Sequence, residues 1–389
     1  MNRIFILFSL LLLLFSGCHK EETESQPLTK VRRTVIVYMA AENSLNTYVM
    51  GDSIEMVDAR KQIPEDVNFI IYKDGIAYPA IHTLSAKDGI RLWKKFDSDQ
   101  DSTDSLTMRN TLREIIRMFP ADSYGLVLWS HGNGWVPRKG PSKRSTFGID
   151  NNSNTTSNSG HEMNIEELRG ALEEVAPLDY ILFDACFMQS VEVAYQLRDV
   201  VKYTIGSPAE IPGNGAPYNL IMNDLCEANV QNIVQNYYDF YSHTYGVALS
   251  AVDCSKLDKL AQCMKPLVNE IWSGKVSRST NGIQYYGPFS SESNWRPEPF
   301  DIKSVMHNML SADRLQEFDE ALDEVLLASK ATNKWTSIYS GLHNTLTDKE
   351  NYSGLSMFIP HSKYNGYGWN EAFQSTEWYK VAGWDTTGW

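Results

Sequence analysis

The sequence predicts an α/β fold in which helices cover both faces of a mostly parallel central sheet. Short apolar runs alternate with segments of helical periodicity over the first half of the chain, a pattern typical of consecutive βαβ units. The runs are apolar almost throughout, as is common for parallel strands that are buried on both faces. Two of them end at a histidine and at a cysteine, and ligands of open α/β sheets bind at such strand ends.

Four elements are expected before the histidine. They are a strand over 34–40 that turns towards a helix at 41–46, a strand over 67–72, a hairpin over 81–93 and a helix over 108–119. Asp88 and Gly89 form a favoured hairpin turn, and Pro120 ends the helical spacing. The run over 124–131 is then the strand that carries His131.

Residues 137–160 are expected to form a long exposed loop because they are rich in Pro, Gly, Ser, Asn and basic residues. Asn164 and Glu167 match a capping box at the start of the next helix. The remaining expected elements are a strand over 180–186 that carries Cys186, a helix over 190–197, a strand over 200–206 with a loop over 207–215, a helix over 230–245, a strand over 247–252, helices over 255–273 and 313–330, and a strand over 354–360.

The N-terminus combines a basic residue, an apolar stretch and a cysteine. Arg3 precedes an apolar stretch over 4–15, which has the length of a signal-peptide core and is too short to cross a membrane as a helix. The residues up to Cys18 resemble a lipobox. The resemblance implies a signal peptide over 1–17, lipid attached to Cys18 as a membrane anchor, a tether over 18–32, and a location in the bacterial cell envelope, at the outer membrane or cell surface. The alternative is a plain secretory signal with an incidental cysteine.

The composition is that of an ordinary globular protein, with 42% hydrophobic and 21% charged residues. The formal net charge of −13 argues against nucleic acid as a main partner. Cys226, Cys254 and Cys263 are expected to be buried thiols. The sequence suggests no metal ligands, since the pair His161 and Glu162 lacks the second histidine of a zinc-binding helix.

Six segments of the sequence carry recognisable motifs, at residues 37–43, 130–134, 183–186, 207–210, 249–253 and 353–360. Together and in this order they resemble the clostripain family of cysteine peptidases, in the caspase-like clan. The resemblance implies a caspase-like three-layer sandwich over 33–389, in which about 216–389 is a C-terminal α/β extension packed on the core.

The resemblance also implies a cysteine endopeptidase that acts on protein or peptide substrates. Cys186 matches the nucleophile that forms an acyl-enzyme, and His131 matches the general acid and base. The backbone N–H groups of Gly132 and Cys186 match the oxyanion hole. These roles suit the residue types, because a base beside a thiol activates it and preorganised donors stabilise an oxyanion.

Substrate specificity is expected to depend on Asp184, which shares a strand face with Cys186 because it lies two residues before it. Asp184 matches the acid with which relatives contact a basic P1 side chain, so cleavage after Arg or Lys is expected; the alternative is that it only ends the strand. Ser207 and Asn214 are further substrate-binding candidates. Asn214 stands where relatives with basic specificity often carry a second acid, which leaves a non-basic P1 preference open.

The segment 137–160 lies where relatives are often cut by their own active site, and Lys143 and Arg144 are the self-cleavage candidates. The alternative is an ordinary basic surface loop.

Calcium is a candidate cofactor because some relatives require it, although the sequence contains no EF-hand loop, and no other cofactor is expected. The rival to an active peptidase is a catalytically silent surface lipoprotein that binds or scaffolds on the same fold.

Overall fold

The computed structural model describes residues 27–137, 146–152, 158–175, 177–287, 296–336 and 343–389. The predicted signal peptide over 1–17, Cys18 and the first part of the predicted tether lie outside these residues, as do Lys143 and Arg144. Among the described residues, no helix is both long enough and apolar enough to cross a bilayer.

Strands and helices alternate along most of the described chain. The strands are β1 Val31–Ala40, β2 Val67–Asp74, β3 Ala80–Ser85, β4 Gly89–Lys95, β5 Ala121–Trp129, β6 Phe147–Asp150, β7 His161–Met163, β8 Leu178–Asp184, β9 Val201–Gly206, β10 Ala248–Asp253, β11 Phe300–Asp301, β12 Leu326–Ala331, β13 Lys334–Thr336, β14 His343–Thr345 and β15 Ser356–Met357. The α-helices are α1 Val49–Ala59, α2 Ser105–Met118, α3 Ile165–Leu172, α4 Val191–Leu197, α5 Tyr218–Glu227, α6 Val230–Tyr241, α7 Leu257–Trp272, α8 Ile302–Met309, α9 Ala312–Val325, α10 Trp369–Ser375 and α11 Glu377–Val381.

The main sheet has nine strands within the described residues, in the order β12-β10-β9-β8-β5-β1-β2-β3-β4. Its five central strands, β9, β8, β5, β1 and β2, are parallel. At one edge β3 and β4 form the predicted antiparallel hairpin, and at the other β10 and β12 continue the sheet in antiparallel fashion. The prediction of a mostly parallel central sheet is confirmed.

Helices cover both faces of this sheet, because its central strands bury side chains on both. Along β1, Ile36 and Tyr38 belong to one apolar core, whereas Val35 and Val37 belong to the other. The first core includes buried residues of α2, α3, α4, α7 and α9, and the second those of α1, α5 and α6. The three layers confirm the predicted sandwich and explain why its strands are apolar runs without alternation.

The predicted helix over 313–330 is wrong at its C-terminal end. α9 stops at Val325, and the next six residues form β12, which pairs with β10 from Ala248↔Ala331 to Val252↔Leu326. The leucines and alanines of this segment favour a helix. The edge of β10 instead offers backbone hydrogen-bond partners to this segment. Pairing with β10 overrides the local preference for a helix.

Two other expectations are corrected by the structure. The segment 137–160 is not one exposed loop, because β6 is a buried strand that pairs with β7 and, through Phe147, with Gly132. The expected strand over 354–360 contracts to β15, which pairs with β11 in a separate two-stranded sheet, although residues 353–360 are buried as expected.

Candidate active site

The carboxyl ends of β5 and β8 bring His131 and Cys186 to one cavity. The strands pair in parallel with Trp129 opposite Asp184, where both strands end, so His131 and Cys186 each lie two residues beyond a strand. The cavity has a volume of about 220 Å³. Its remaining lining residues are Ser44, Leu45, Thr47, Tyr48, Trp129, Ser130, Asp184, Ile211, Pro212, Gly213 and Gly215.

Hydrogen bonds hold His131 through its backbone and its ring. The Ser130 hydroxyl donates to the Ala40 carbonyl at 2.7 Å, and the His131 carbonyl accepts from the Gly148 N–H at 2.9 Å. The Ser44 Oγ lies 3.1 Å from Nε2 of the imidazole. The segment after β1 thus orients the ring, a role for Ser44 that the sequence did not reveal.

The surroundings of the Cys186 thiol favour its neutral form. The residue is partly exposed, and its Sγ accepts a long hydrogen bond of 3.5 Å from the Ile211 N–H. Poor solvation of the sulfur and then the negative charge of Glu210 raise the thiol pKa to about 12, while Arg296 opposes the shift only in part. A thiol with this pKa needs a base that removes its proton before it attacks a carbonyl.

The chain turns sharply after Cys186, at Phe187. This residue has φ of 63°, in the left-handed region that bulky side chains rarely adopt. Its N–H donates to the Ala209 carbonyl at 2.9 Å, and the Arg296 guanidinium lies 3.4 Å from the centre of its ring. These contacts stabilise a strained turn of the kind that fixes functional groups in active sites.

The backbone at Gly132 approaches that of Cys186 too closely for any side chain. A Cβ at this position would lie 2.5 Å from the Cys186 carbonyl oxygen. Within the described part of the chain, neither the Gly132 N–H nor the Cys186 N–H donates a hydrogen bond. Backbone donors that lack a partner among the described residues, on two chain segments that approach this closely, are the kind of group that a developing oxyanion requires.

Asp184 is a buried acid at the cavity wall, with 3% of its surface exposed. Its Oδ2 accepts hydrogen bonds from the Ala216 N–H at 3.1 Å and from the Tyr218 hydroxyl at 2.9 Å, whereas its Oδ1 has no partner among the described residues. Burial raises its pKa to about 6, so the carboxylate is mostly ionised at neutral pH. Gly215, with φ of 65°, packs directly against this carboxylate. A Cβ at position 215 would lie only 2.8 Å from Oδ2 of Asp184.

A second buried acid, Asp52 of α1, lies behind this wall. The Trp129 indole N–H donates to its Oδ2 at 2.7 Å. Burial and the charge of Asp184 raise the pKa of Asp52 to about 8, so this carboxyl is mostly neutral at pH 7. Sequence reasoning missed Asp52, although an acid on the same helix face as the buried Val49 and Met56 was a usable signal.

The structure does not bring the other two substrate-binding candidates to the cavity. Asn214 is exposed and does not line it. Ser207 is buried, and its Oγ accepts a hydrogen bond from the Ala209 N–H at 3.0 Å. This contact stabilises the loop over 207–215. The loop over 207–215 contacts the cavity through Ile211, Pro212, Gly213 and Gly215 instead.

Known proteins with similar sequences and structures are cysteine proteases. The sequence profile described as the Clostripain family matches residues 37–389. Clostripain from Hathewaya histolytica is 24% identical over 405 aligned positions, which cover 86% of this chain and 76% of that protein.

Two solved structures are similar over almost their entire length. One is a secreted cysteine protease from Bacteroides thetaiotaomicron in complex with an irreversible peptide inhibitor, with 30% identity and a TM-score of 0.77 over 91% of this chain and 99% of that one. The other is an inactive zymogen of a protease from Parabacteroides distasonis, with 29% identity and a TM-score of 0.76 over the same shares. The chain therefore belongs to the clostripain family of cysteine peptidases.

Proposed function

We propose that this peptidase is an endopeptidase that uses Cys186 as nucleophile and His131 as general acid and base, and that it cleaves after Arg or Lys. The observation that carries the proposal is the single cavity lined by His131, Cys186 and the buried carboxylate of Asp184. Base, nucleophile and a negatively charged specificity group thus surround one substrate-sized space.

In the proposed mechanism, His131 takes the proton of the Cys186 thiol as the sulfur attacks the scissile carbonyl carbon. The Gly132 and Cys186 N–H groups stabilise the negative charge that develops on the carbonyl oxygen. The intermediate then collapses to an acyl-enzyme, and the leaving amine receives the proton from His131. Water, deprotonated by the same imidazole, releases the acid product and restores the thiol.

The basic P1 preference rests on the unpaired Oδ1 of Asp184. One oxygen of this buried carboxylate is fixed by two donors, and the other lacks a donor among the described residues, which a guanidinium or an ammonium would supply. Asn214 is exposed and away from the cavity lining, so its lack of charge leaves this contact intact.

Peptidyl inhibitors that alkylate thiols, matched except for Arg or Gln at P1, test the proposal. The Arg inhibitor should modify Cys186 of the wild type at least 10-fold faster than the Gln inhibitor, and Cys186→Ala should not be modified. Faster reaction with Gln would instead support the non-basic P1 preference. An absence of labelling with every P1 type would support the silent binding protein.

We further propose that the enzyme matures by cutting itself within 138–145, at Lys143 or Arg144. The residues on both sides of this segment adjoin the active site. Before it, Trp135 and Val136 are buried. After it, the Thr146 carbonyl accepts a hydrogen bond from the Asn133 N–H at 2.9 Å. A similar protein from Parabacteroides distasonis is described as an inactive zymogen, which fits activation by cleavage.

Intact-mass analysis of purified protein tests self-cleavage. Wild type should yield two chains that begin or end in this segment, whereas Cys186→Ala and the double variant Lys143→Ala, Arg144→Ala should yield one. Cleavage of Cys186→Ala purified alone at the same bond would contradict self-processing.

Export as a lipoprotein is the third part of the proposal, and it rests on the sequence up to Cys18 and on similar proteases described as secreted. Radiolabelled palmitate should enter the wild-type protein in a bacterial host and should not enter Cys18→Ser. The same variant should leave the membrane fraction; equal labelling of both proteins would contradict lipid attachment to Cys18.

A further inference from the structure

Two buried residues of opposite charge, Arg296 and Glu210, lie beside the proposed nucleophile, and the proposed mechanism uses neither. Glu210 lies in the loop after β9, and Arg296 lies in the chain that leads into β11. Only 2% of the surface of Glu210 and 5% of that of Arg296 is exposed. Charged side chains are rarely buried to this degree unless they are paired. Their burial next to Cys186 therefore indicates a role for the two residues as a pair.

Glu210 is held beside Cys186 by its two neighbours in the chain. The Ala209 carbonyl accepts a hydrogen bond from the Phe187 N–H at 2.9 Å. The Ile211 N–H donates to the Cys186 sulfur at 3.5 Å. Because the residues before and after Glu210 contact the turn at 186–187, Glu210 itself lies alongside that turn, and its negative charge raises the pKa of the Cys186 thiol.

Arg296 contacts the same turn from a distant part of the sequence. Its guanidinium carbon lies 3.4 Å from the centre of the Phe187 ring, which is a close cation–π contact. Burial lowers the pKa of Arg296 to about 9, and the negative charges of Glu210 and of the Cys186 thiolate oppose this change. Arg296 is therefore close enough to both groups for its charge to act on them.

The other acids near Arg296 have contacts elsewhere. Glu192 and Glu298 line a small cavity together with Arg296. The Glu192 carboxylate accepts from the Phe358 N–H at 2.8 Å, and burial raises its pKa to about 7. The Glu298 carboxylate accepts from the Tyr364 hydroxyl at 2.8 Å. Glu210 is the acid that acts most strongly on Arg296.

We propose that Arg296 is a positioning residue for Cys186, with Glu210 as its counter-ion. The guanidinium fixes the turn at Phe187 and stabilises the negative charge that the sulfur acquires when its proton is removed. Without this cation, the buried charge of Glu210 would stand beside the nucleophile and disfavour its ionisation. The inference rests on the proposed nucleophile and is independent of the P1 preference.

Titratable groups from five parts of the described structure act on the Cys186 sulfur or line its cavity. They are His131 after β5, Asp184 of β8, Glu210 after β9, Tyr237 of α6 and Arg296 before β11. Burial raises the pKa of Tyr237 well above its ordinary value, so this hydroxyl is neutral. Arg296 is a permanent cation, whereas His131 becomes charged as it takes the thiol proton.

Alkylation of Cys186 by iodoacetamide tests the inference, since this reagent has no P1 side chain and no peptide bond is cut. All proteins carry Lys143→Ala and Arg144→Ala, so that they do not differ in self-cleavage at these sites. Cys186→Ala gives the background from the other thiols. In Arg296→Met, the midpoint of the pH profile should rise by about 1 pH unit or more. The rate at pH 7 should then fall about 10-fold, because the thiolate is the reactive form.

Three further variants separate charge from packing. Arg296→Lys keeps the cation, and its midpoint should stay close to that of the parent. Glu210→Gln removes the opposing charge, so its midpoint should fall. The double variant Arg296→Met, Glu210→Gln removes both charges and should return towards the parental midpoint. It should also melt at a higher temperature than Arg296→Met, in which a buried acid has lost its proposed counter-ion.

Arg33→Met is the matched control for the loss of a buried arginine. Arg33 pairs with Asp179 at 2.7 Å, and Asp179 lies at the start of β8, whereas Cys186 follows its end. This variant should lower Tm and leave the alkylation profile unchanged. An equal shift of the midpoint in Arg33→Met would overturn the inference.

A midpoint in folded Arg296→Met equal to that of the parent would also overturn it. Should Arg296→Met fail to fold, equal midpoints in Glu210→Gln and the double variant would do the same, because Arg296 would then have no effect on the thiol. Undiminished alkylation of Cys186→Ala would instead contradict the proposed nucleophile, so the two failures are distinguishable.

Discussion

Asp184 and Asp52 are two buried acids whose environments separate their protonation states. Burial raises the pKa of Asp184 to about 6, while burial and the Asp184 charge raise that of Asp52 to about 8. At pH 7 these environments favour the ionised form of Asp184 and the neutral form of Asp52. Such a division of charge between neighbouring acids assigns them different roles.

Replacement of Asp184 should affect only basic substrates. In Asp184→Asn, kcat/KM for peptides with Arg or Lys at P1 should fall about 10- to 100-fold, because a hydrogen-bonded contact with a charged group contributes about 1.5–3 kcal/mol. A peptide with Gln at P1 should be cleaved as before. The control is Asp224→Asn, which changes a buried acid that hydrogen-bonds Asn232 and Asn236 instead; an equal loss on both substrates would show that Asp184 is structural.

The preference for a basic P1 residue should weaken in acid. Asp184 attracts a cation only when ionised, so the ratio of kcat/KM for Arg to that for Gln should fall as pH decreases through about 6. Taking the ratio cancels ionisations that both substrates share, such as those of Cys186 and His131. In Asp184→Asn the ratio should not vary between pH 5 and about 8, and a pH-dependent ratio in this variant would assign the effect to another group.

Removal of the Ser44 hydroxyl should slow catalysis without weakening substrate binding. The 3.1 Å contact with Nε2 orients His131, and a hydrogen bond of this kind contributes about 1 kcal/mol, so kcat of Ser44→Ala should fall about 5-fold. Ser44→Thr keeps the hydroxyl and should recover most of the rate. A change confined to KM would mean that Ser44 lines the substrate site without orienting the imidazole.

At the scale of elements, the first turn of α3 is stabilised by a complete capping box. The Asn164 side chain accepts from the Glu167 N–H at 2.8 Å, and the Glu167 carboxylate accepts from the Asn164 N–H at 3.0 Å. Asn164→Ala should lower the free energy of unfolding by about 1 kcal/mol. Ser311 provides the control, since it stands at the N-cap of α9 without a capping hydrogen bond, and Ser311→Ala should leave Tm nearly unchanged in the same thermal melts.

Elements were predictable where their local signals agreed. The capping pair of α3, the Asp88 and Gly89 turn and the apolar run of β5 each specify their structure within a few residues. β6 and β12 were missed because neither is specified locally: Phe147 is buried by packing into the first core, and β12 forms on the edge that β10 presents. Contacts between segments far apart in sequence decide such elements.

At the scale of the whole molecule, the sequence located His131, Cys186 and Asp184 because each lies at the end of a recognisable strand. It did not locate Ser44, because nothing near Ser44 in sequence indicates a site, and it missed Asp52, whose place on the buried face of α1 was the one usable signal. The strand order of the sheet brings Ser44 and Asp52 to the site, because it places the ends of β1, β2, β5 and β8 along one edge.

That strand order also determines what becomes of the molecule once the backbone is broken between β5 and β6. The two pieces, one ending and the other beginning within 138–145, share the parallel ladder from Gly125↔Tyr180 to Trp129↔Asp184, the ion pair of Arg33 and Asp179 at 2.7 Å and both apolar cores. They should therefore migrate as one particle in native chromatography and separate only in denaturant. When they are synthesised as two polypeptides, they should also assemble by fragment complementation. A covalent link between the segments that carry His131 and Cys186 is then not required for the sheet to form.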